Sequence, residues 1–254
     1  TTLQAAVGNT ASLSSVTTNA GGTLVMNGGV VNSTGFQSYG EAATLGAATT
    51  LTSTGSGAIT FGNTLNGAQT LVVNTSSVTT FTGAVGNSTA LTSLTTDAGT
   101  AGSVAINGSV VNTTGAQIYG EAATLGAATT LTSTGSGAIT FGNTLNGAQT
   151  LAINTSGGTT FTGAVGNTTA LTSVTTDVGG SVAINGSVAI NGGVVNTTGA
   201  QIYGEAATLG AATTLTSTGS GAITFGSTLN GAQTLAINTS GATTFTGAVG
   251  NTTA

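Results

Sequence analysis

Residues 117–157 read QIYGEAATLGAATTLTSTGSGAITFGNTLNGAQTLAINTSG, and residues 201–241 repeat them with one change, Asn143 giving way to Ser227. The recurrence extends over the whole chain. Leu3, Phe81, Phe161 and Phe245 occupy one position of a unit and are separated by 78, 80 and 84 residues. The 254 residues therefore form one continuous domain, 1–254, with repeats at 3–80, 81–160 and 161–244 and a partial repeat at 245–254. From Gln37, Gln117 and Gln201 to Gly86, Gly166 and Gly250 the distance is always 49 residues, whereas Asn19 to Gln37, Asp97 to Gln117 and Asp177 to Gln201 span 18, 20 and 24. All the length variation falls in one place. In the third unit it includes a tandem hexapeptide, SVAING at 181–186 and again at 187–192, as expected of an insertion held in a loop or corner.

A shorter period runs inside the unit. Leu51, Leu71, Leu91, Val111, Leu131, Leu151 and Leu171 fall every 20 residues. Leu65, Val85, Ala105, Leu125, Leu145 and Val165 form a second such column, and the pair Phe61 and Phe81 returns as Phe141 and Phe161. A coil of about 20 residues holds three short strands and their turns, and is too short for a four-stranded propeller blade. Stacked coils pair their backbones about 4.8 Å apart. The expected fold is all-β: a single-stranded parallel β-solenoid of about twelve coils, a rod near 60 Å long.

Composition agrees. Thr contributes 59 residues and Gly 43, and straight-chain charged helix formers are nearly absent. With 38% hydrophobic residues and a mean hydropathy of +0.37, the chain lacks the signature of disorder. Leu, Val, Ile and Phe are expected to stack inward, Gly and Asn to serve the corners, and Thr to present an uncharged β-branched surface. Asn66, Asn87, Asn107, Asn146 and Asn167 recur near one coil position, as a partial amide ladder or as turn residues.

The same composition excludes much chemistry. There is no Lys, Arg, His, Cys, Pro or Trp, and the five acidic residues give a net charge of −5. Without a cation the chain cannot neutralise phosphates, so nucleic acid is not a partner. No 18-residue apolar run spans a membrane, and three Tyr and seven Phe are too few for the girdles of a transmembrane barrel. Thr1 begins in mid-unit and Ala254 stops short of the LTS that follows the same NTTA at 167–170, so continuation in a longer array is expected.

The runs TTGAQIYGEAATLGAATTLTSTGSGAITF, at 113–141, and LNGAQTLAINTSGATTFTGAVGNTTA, at 229–254, resemble the long tandem repeats of large bacterial surface proteins of the filamentous-haemagglutinin and autotransporter-adhesin type. The resemblance covers essentially the whole chain. It implies a right-handed parallel β-helix, export to the surface of a Gram-negative-type bacterium, and a role as stalk or filament in adhesion to host or neighbouring cells. No binding residue carries over.

Candidate sites are few. A glycosidase-type carboxylate pair must stand within about 5 to 10 Å, and Asp97 and Glu121, like Asp177 and Glu205, read as lying on different coil positions. No catalytic, cofactor or metal residue is assigned. An isolated carboxylate cannot supply the roughly 6 to 8 oxygens of a calcium ion. The Tyr-Gly-Glu tripeptides at 39–41, 119–121 and 203–205 read as corners with a solvated charge, the alternative being a repeated contact surface. The sequons at Asn32, Asn74, Asn87, Asn112, Asn154 and Asn167 are what so many hydroxyl residues produce by chance. Thr52-Ser53-Thr54 and Thr80-Phe81-Thr82 are similar to ice-binding arrays, but Val72-Val73-Asn74 breaks any regular Thr grid. The functional expectation is a non-enzymatic structural segment of an extracellular adhesin or filament, prone to self-association, with a sheath, matrix or surface-layer component as the alternative. Few titrating groups imply little dependence on pH.

Overall fold

A computed structural model describes residues 1–97, 101–177 and 186–251. It is all-β, with every strand pairing parallel, and winds through about 11 turns of about 22 residues each. Along the described strands the burial alternates residue by residue, as in Thr49–Ser53, where Thr49, Leu51 and Ser53 point in and Thr50 and Thr52 point out. That alternation is what one buried and one solvated sheet surface require.

Each turn visits three faces. One is a ten-stranded sheet running from Val30–Ser33 to Leu229–Asn230. The second joins a seven-stranded and a three-stranded sheet through the bridge Val165↔Val195. The third joins a four-stranded and a seven-stranded sheet through Val85, which bridges Leu65 and Val111.

The coil is longer than the 20-residue columns imply. Phe61↔Phe81, Phe141↔Phe161, Leu65↔Val85 and Leu145↔Val165 are true neighbours. Leu51, however, lies opposite Val73, while Leu71 lies between Thr49 and Leu94. The corners absorb extra residues, most at Phe81↔Ile106. Twelve coils of 20 thus become about eleven of 22, and the rod shortens to about 53 Å at 4.8 Å per turn.

The physical reason is a mismatch between unit and cross-section. From Gln37–Tyr39 to Gln117–Tyr119 the chain passes ten strands and one isolated bridge, eleven positions in all. Eleven positions on three faces make three and two-thirds turns. Equivalent strands of successive units therefore land on different faces: Gln37–Tyr39 on the second, Gln117–Tyr119 on the first and Gln201–Tyr203 on the third.

The core shows the same rotation. Tyr39, Phe61 and Phe81 stack inside the second face, Tyr119, Phe141 and Phe161 inside the first, and Tyr203, Phe225 and Phe245 inside the third, with centroids 5.0–5.7 Å apart. Burying such rings contributes the largest single apolar areas in the rod. Beside each stack a buried glutamine ties three strands together. Gln117 Nε2 donates to Val111 O, Thr113 Oγ1 and Thr132 O at 3.0–3.2 Å, and its Oε1 accepts from the Tyr119 hydroxyl at 3.0 Å. Gln37 and Gln201 repeat the arrangement.

Corners are built as glycine and asparagine suggest. Gly67, Gly147 and Gly231 turn at φ 124–128°, where a side chain would be strained. Asn66 Oδ1 accepts from Ser88 N and Thr89 N of the next coil, and Asn146 does the same with Thr168 and Thr169. These two are corner braces rather than rungs of an amide ladder. Of the hexapeptide pair, the second copy supplies the strand Ser187–Ile190, which pairs with Gly158–Phe161 and Ala206–Leu209, while residues 181–185 of the first lie outside the described residues.

Candidate functional site

The chemically distinctive groups are the five carboxylates, and the structure relocates all of them. Thr96 pairs with Tyr119 across adjacent coils. That register sets Asp97 against Gly120, whose N–H donates to Thr96 O at 3.0 Å, and brings Asp97 and Glu121 to one corner on stacked coils. Thr176↔Tyr203 does the same for Asp177 and Glu205. The reading that placed these acids at different coil positions is corrected. It assumed a uniform 20-residue coil, whereas here one coil equals the 23-residue step Leu94↔Gln117.

The Tyr-Gly-Glu corners are not solvated either. Glu41, Glu121 and Glu205 are 2%, 0% and 2% exposed, and Asp97 and Asp177 only 7% and 5%. The tyrosines before them are wholly buried, so these tripeptides form no contact surface. Gly at the middle position lets the corner close. A Cβ on Gly120 would run into Asp97 O, and one on Gly204 into Asp177 O.

The acids are only partly satisfied. Asp97 Oδ1 accepts from Thr75 N at 2.6 Å and Asp177 Oδ1 from Thr155 N at 2.7 Å, each replacing a rung of the ladder. Glu121 Oε2 accepts from Thr96 Oγ1 at 2.9 Å, and Glu205 Oε2 from Thr176 Oγ1 at 2.8 Å. The second oxygens, Asp97 Oδ2, Glu121 Oε1, Asp177 Oδ2 and Glu205 Oε1, are buried without a partner.

Burial disfavours the charged forms. Glu121 and Glu205 are each pushed up to about 7, chiefly by desolvation and further by the neighbouring Asp97 or Asp177, against hydrogen bonds that favour the anion. Desolvation also raises Asp97 and Asp177, opposed by the N–H of Thr75 or Thr155. Tyr119 and Tyr203 are raised by burial and by the adjacent glutamate. The expectation of little pH dependence is overturned, because two carboxyls titrate near neutrality.

The first unit differs. Thr18↔Tyr39 places Asn19 where Asp97 and Asp177 stand, so Glu41 has no acidic neighbour. Among the described residues no group of three or more His, Cys, Asp or Glu could hold a metal on its own, and no helix is long and apolar enough to cross a membrane. An open cleft of about 340 Å³ beside Asp97 is lined by Thr52, Asn74, Thr75 and Ser76. Thr52 faces Asn74 across the ladder, which breaks the Thr grid at the position the sequence indicates.

Three-faced parallel winding, ladders of stacked aromatics and buried acidic corners define the chain as a tandem-repeat β-solenoid. No protein-family model, no curated protein and no solved structure matches it.

Proposed function

We propose that this solenoid is a mechanical segment of an extracellular bacterial adhesin or surface filament, acting as a stiff stalk or fibre in contact between cells or between cell and surface. It works without cofactor or catalysis. The observation that carries the reading is the placement of charge. The backbone ladder runs through about 11 turns while every carboxylate is withdrawn into a corner. The three outer faces then offer threonine, asparagine and a few apolar side chains such as Ile118 and Ile202, and no formal charge. Such a rod resists bending through its repeated pairing and sets reach by the number of units.

The charge-free faces also favour lateral association of copies, since nothing on them repels a second rod. This supports the alternative of a sheath, matrix or surface-layer component. Electron microscopy of source cells labelled against this repeat separates the two. Single stalks ending in a distinct tip support the adhesin, and continuous bundled fibres support the matrix component. Label confined to the cell interior refutes both.

A further inference from the structure

Burying two adjacent carboxylates leaves a charge that must be compensated, because an unpaired buried anion costs several kcal/mol. In most proteins a lysine or arginine would supply the partner, and this chain has neither, nor any histidine. Compensation at the Asp97–Glu121 and Asp177–Glu205 corners must come from outside the chain. The only other titratable groups beside them are the Tyr119 and Tyr203 hydroxyls, which carry no positive charge.

The geometry of the corners shows what could enter. Each holds two buried carboxylate oxygens without a partner, one from each acid. At Gly186 further oxygens converge. Asp177 Oδ2 lies 3.1 Å and Thr155 O 3.0 Å from the point a Cβ would occupy, with Gly157 O nearer still. At Gly102 the corresponding open side is faced by Ser77 O and, at 2.9 Å, by Thr75 O. Every donor is a carboxylate or carbonyl oxygen. Such a set suits a hard cation that accepts irregular coordination, and offers nothing to zinc or copper.

We propose that the Asp97–Glu121 and Asp177–Glu205 corners each bind one calcium ion, which joins the stacked coils through the two carboxylates and neighbouring main-chain carbonyls. The expectation that an isolated carboxylate cannot hold calcium fails on its premise, since the acids are paired. With two carboxylates per site, the affinity belongs to the weak class of extracellular modules, with a Kd of about 10⁻⁴ to 10⁻³ M. The Glu41 corner, with Asn19 in place of the aspartate, lacks one carboxylate and binds none. Calcium release would leave a proton as the only compensating charge, so the proposal couples binding to pH.

Equilibrium dialysis of the full chain against calcium chloride at about pH 7.5, above the raised glutamates, tests this. Two ions per chain are expected. Asp97→Asn with Asp177→Asn keeps the acceptor for Thr75 and Thr155 N–H and should abolish binding while the far-ultraviolet spectrum stays β-type. Asn19→Asp should raise the stoichiometry to three, a gain that unfolding cannot imitate. The proposal is overturned if the wild-type chain binds no calcium at about 10 mM, well above the range for such sites. It is also overturned if the double variant, still folded, binds as before. Absence of calcium binding together with stability that falls as pH rises would assign the corners to a shared proton instead.

Discussion

In the absence of divalent ions, raising the pH should loosen this rod. Glu121 and Glu205 have ordinary values of 4.5 and are lifted to about 7 in the folded chain. A group raised on folding binds its proton more tightly in the native state. Its stabilising contribution is complete below about pH 4.5 and is lost as pH climbs through 7. Between those limits stability should fall by about 1.4 kcal/mol per pH unit for each glutamate, or about 3 kcal/mol apiece over the window. Asp97 and Asp177 are raised as well and act in the same direction. Urea unfolding followed by circular dichroism in chelator, from pH 4.5 to 8.5, reads the slope directly. Glu121→Gln with Glu205→Gln should flatten it, because an amide keeps the acceptor for Thr96 and Thr176 and never ionises. A midpoint that is level or rises over this range in the wild-type chain would refute the reasoning. So would an unchanged slope in the double variant.

Other consequences follow from packing and register. Phe141→Ala opens the stack between Tyr119 and Phe161, whose centroids lie 5.0 and 5.7 Å away, and should cost about 3 to 5 kcal/mol, seen as a lowered unfolding midpoint. Gly137→Ala drives a methyl into the Gly115 carbonyl carbon on the coil below, so it should destabilise more than Gly21→Ala, which meets no atom within 4 Å although it shares the strain of a positive φ. Cysteines at Thr50 and Val72, directly opposed across the ladder, should form a disulfide on mild oxidation, their Cα atoms lying about 4.8 Å apart. Cysteines at Thr50 and Thr70, the pairing that a 20-residue coil would require, should not.

Much of this fold was legible in the residues themselves. The inward columns of Leu, Val and Phe, the parallel stacking and the glycine corners all follow from a recurrence that any single pair such as Phe61 and Phe81 displays. The pitch was not, because those pairs step by 20 where the corner is short, while Leu94↔Gln117 and Phe81↔Ile106 step by 23 and 25. A column of similar residues can thus continue by coincidence across positions that never meet, as Leu51 and Leu71 do. The acidic corners were hidden for the same reason. Whether Asp97 meets Glu121 depends on the coil length to within a residue, and whether Glu121 is solvated depends on which side of the strand faces inward. Gln117 gave one usable signal: a long amide two residues before a tyrosine, in every unit, where a surface position would favour threonine.

Three and eleven share no common factor, and the repeat behaves like a gear whose teeth do not divide evenly into its wheel. Each face must pass through all eleven kinds of strand before it meets the same one again. Near-identical units are also natural substrates for recombination. Gain or loss of a single copy would change the rod by about 18 Å at 4.8 Å per turn, and would swing everything beyond it through a third of a revolution. Only changes by three copies leave the compass bearing of a distal element untouched, so in this architecture length and heading cannot be varied independently.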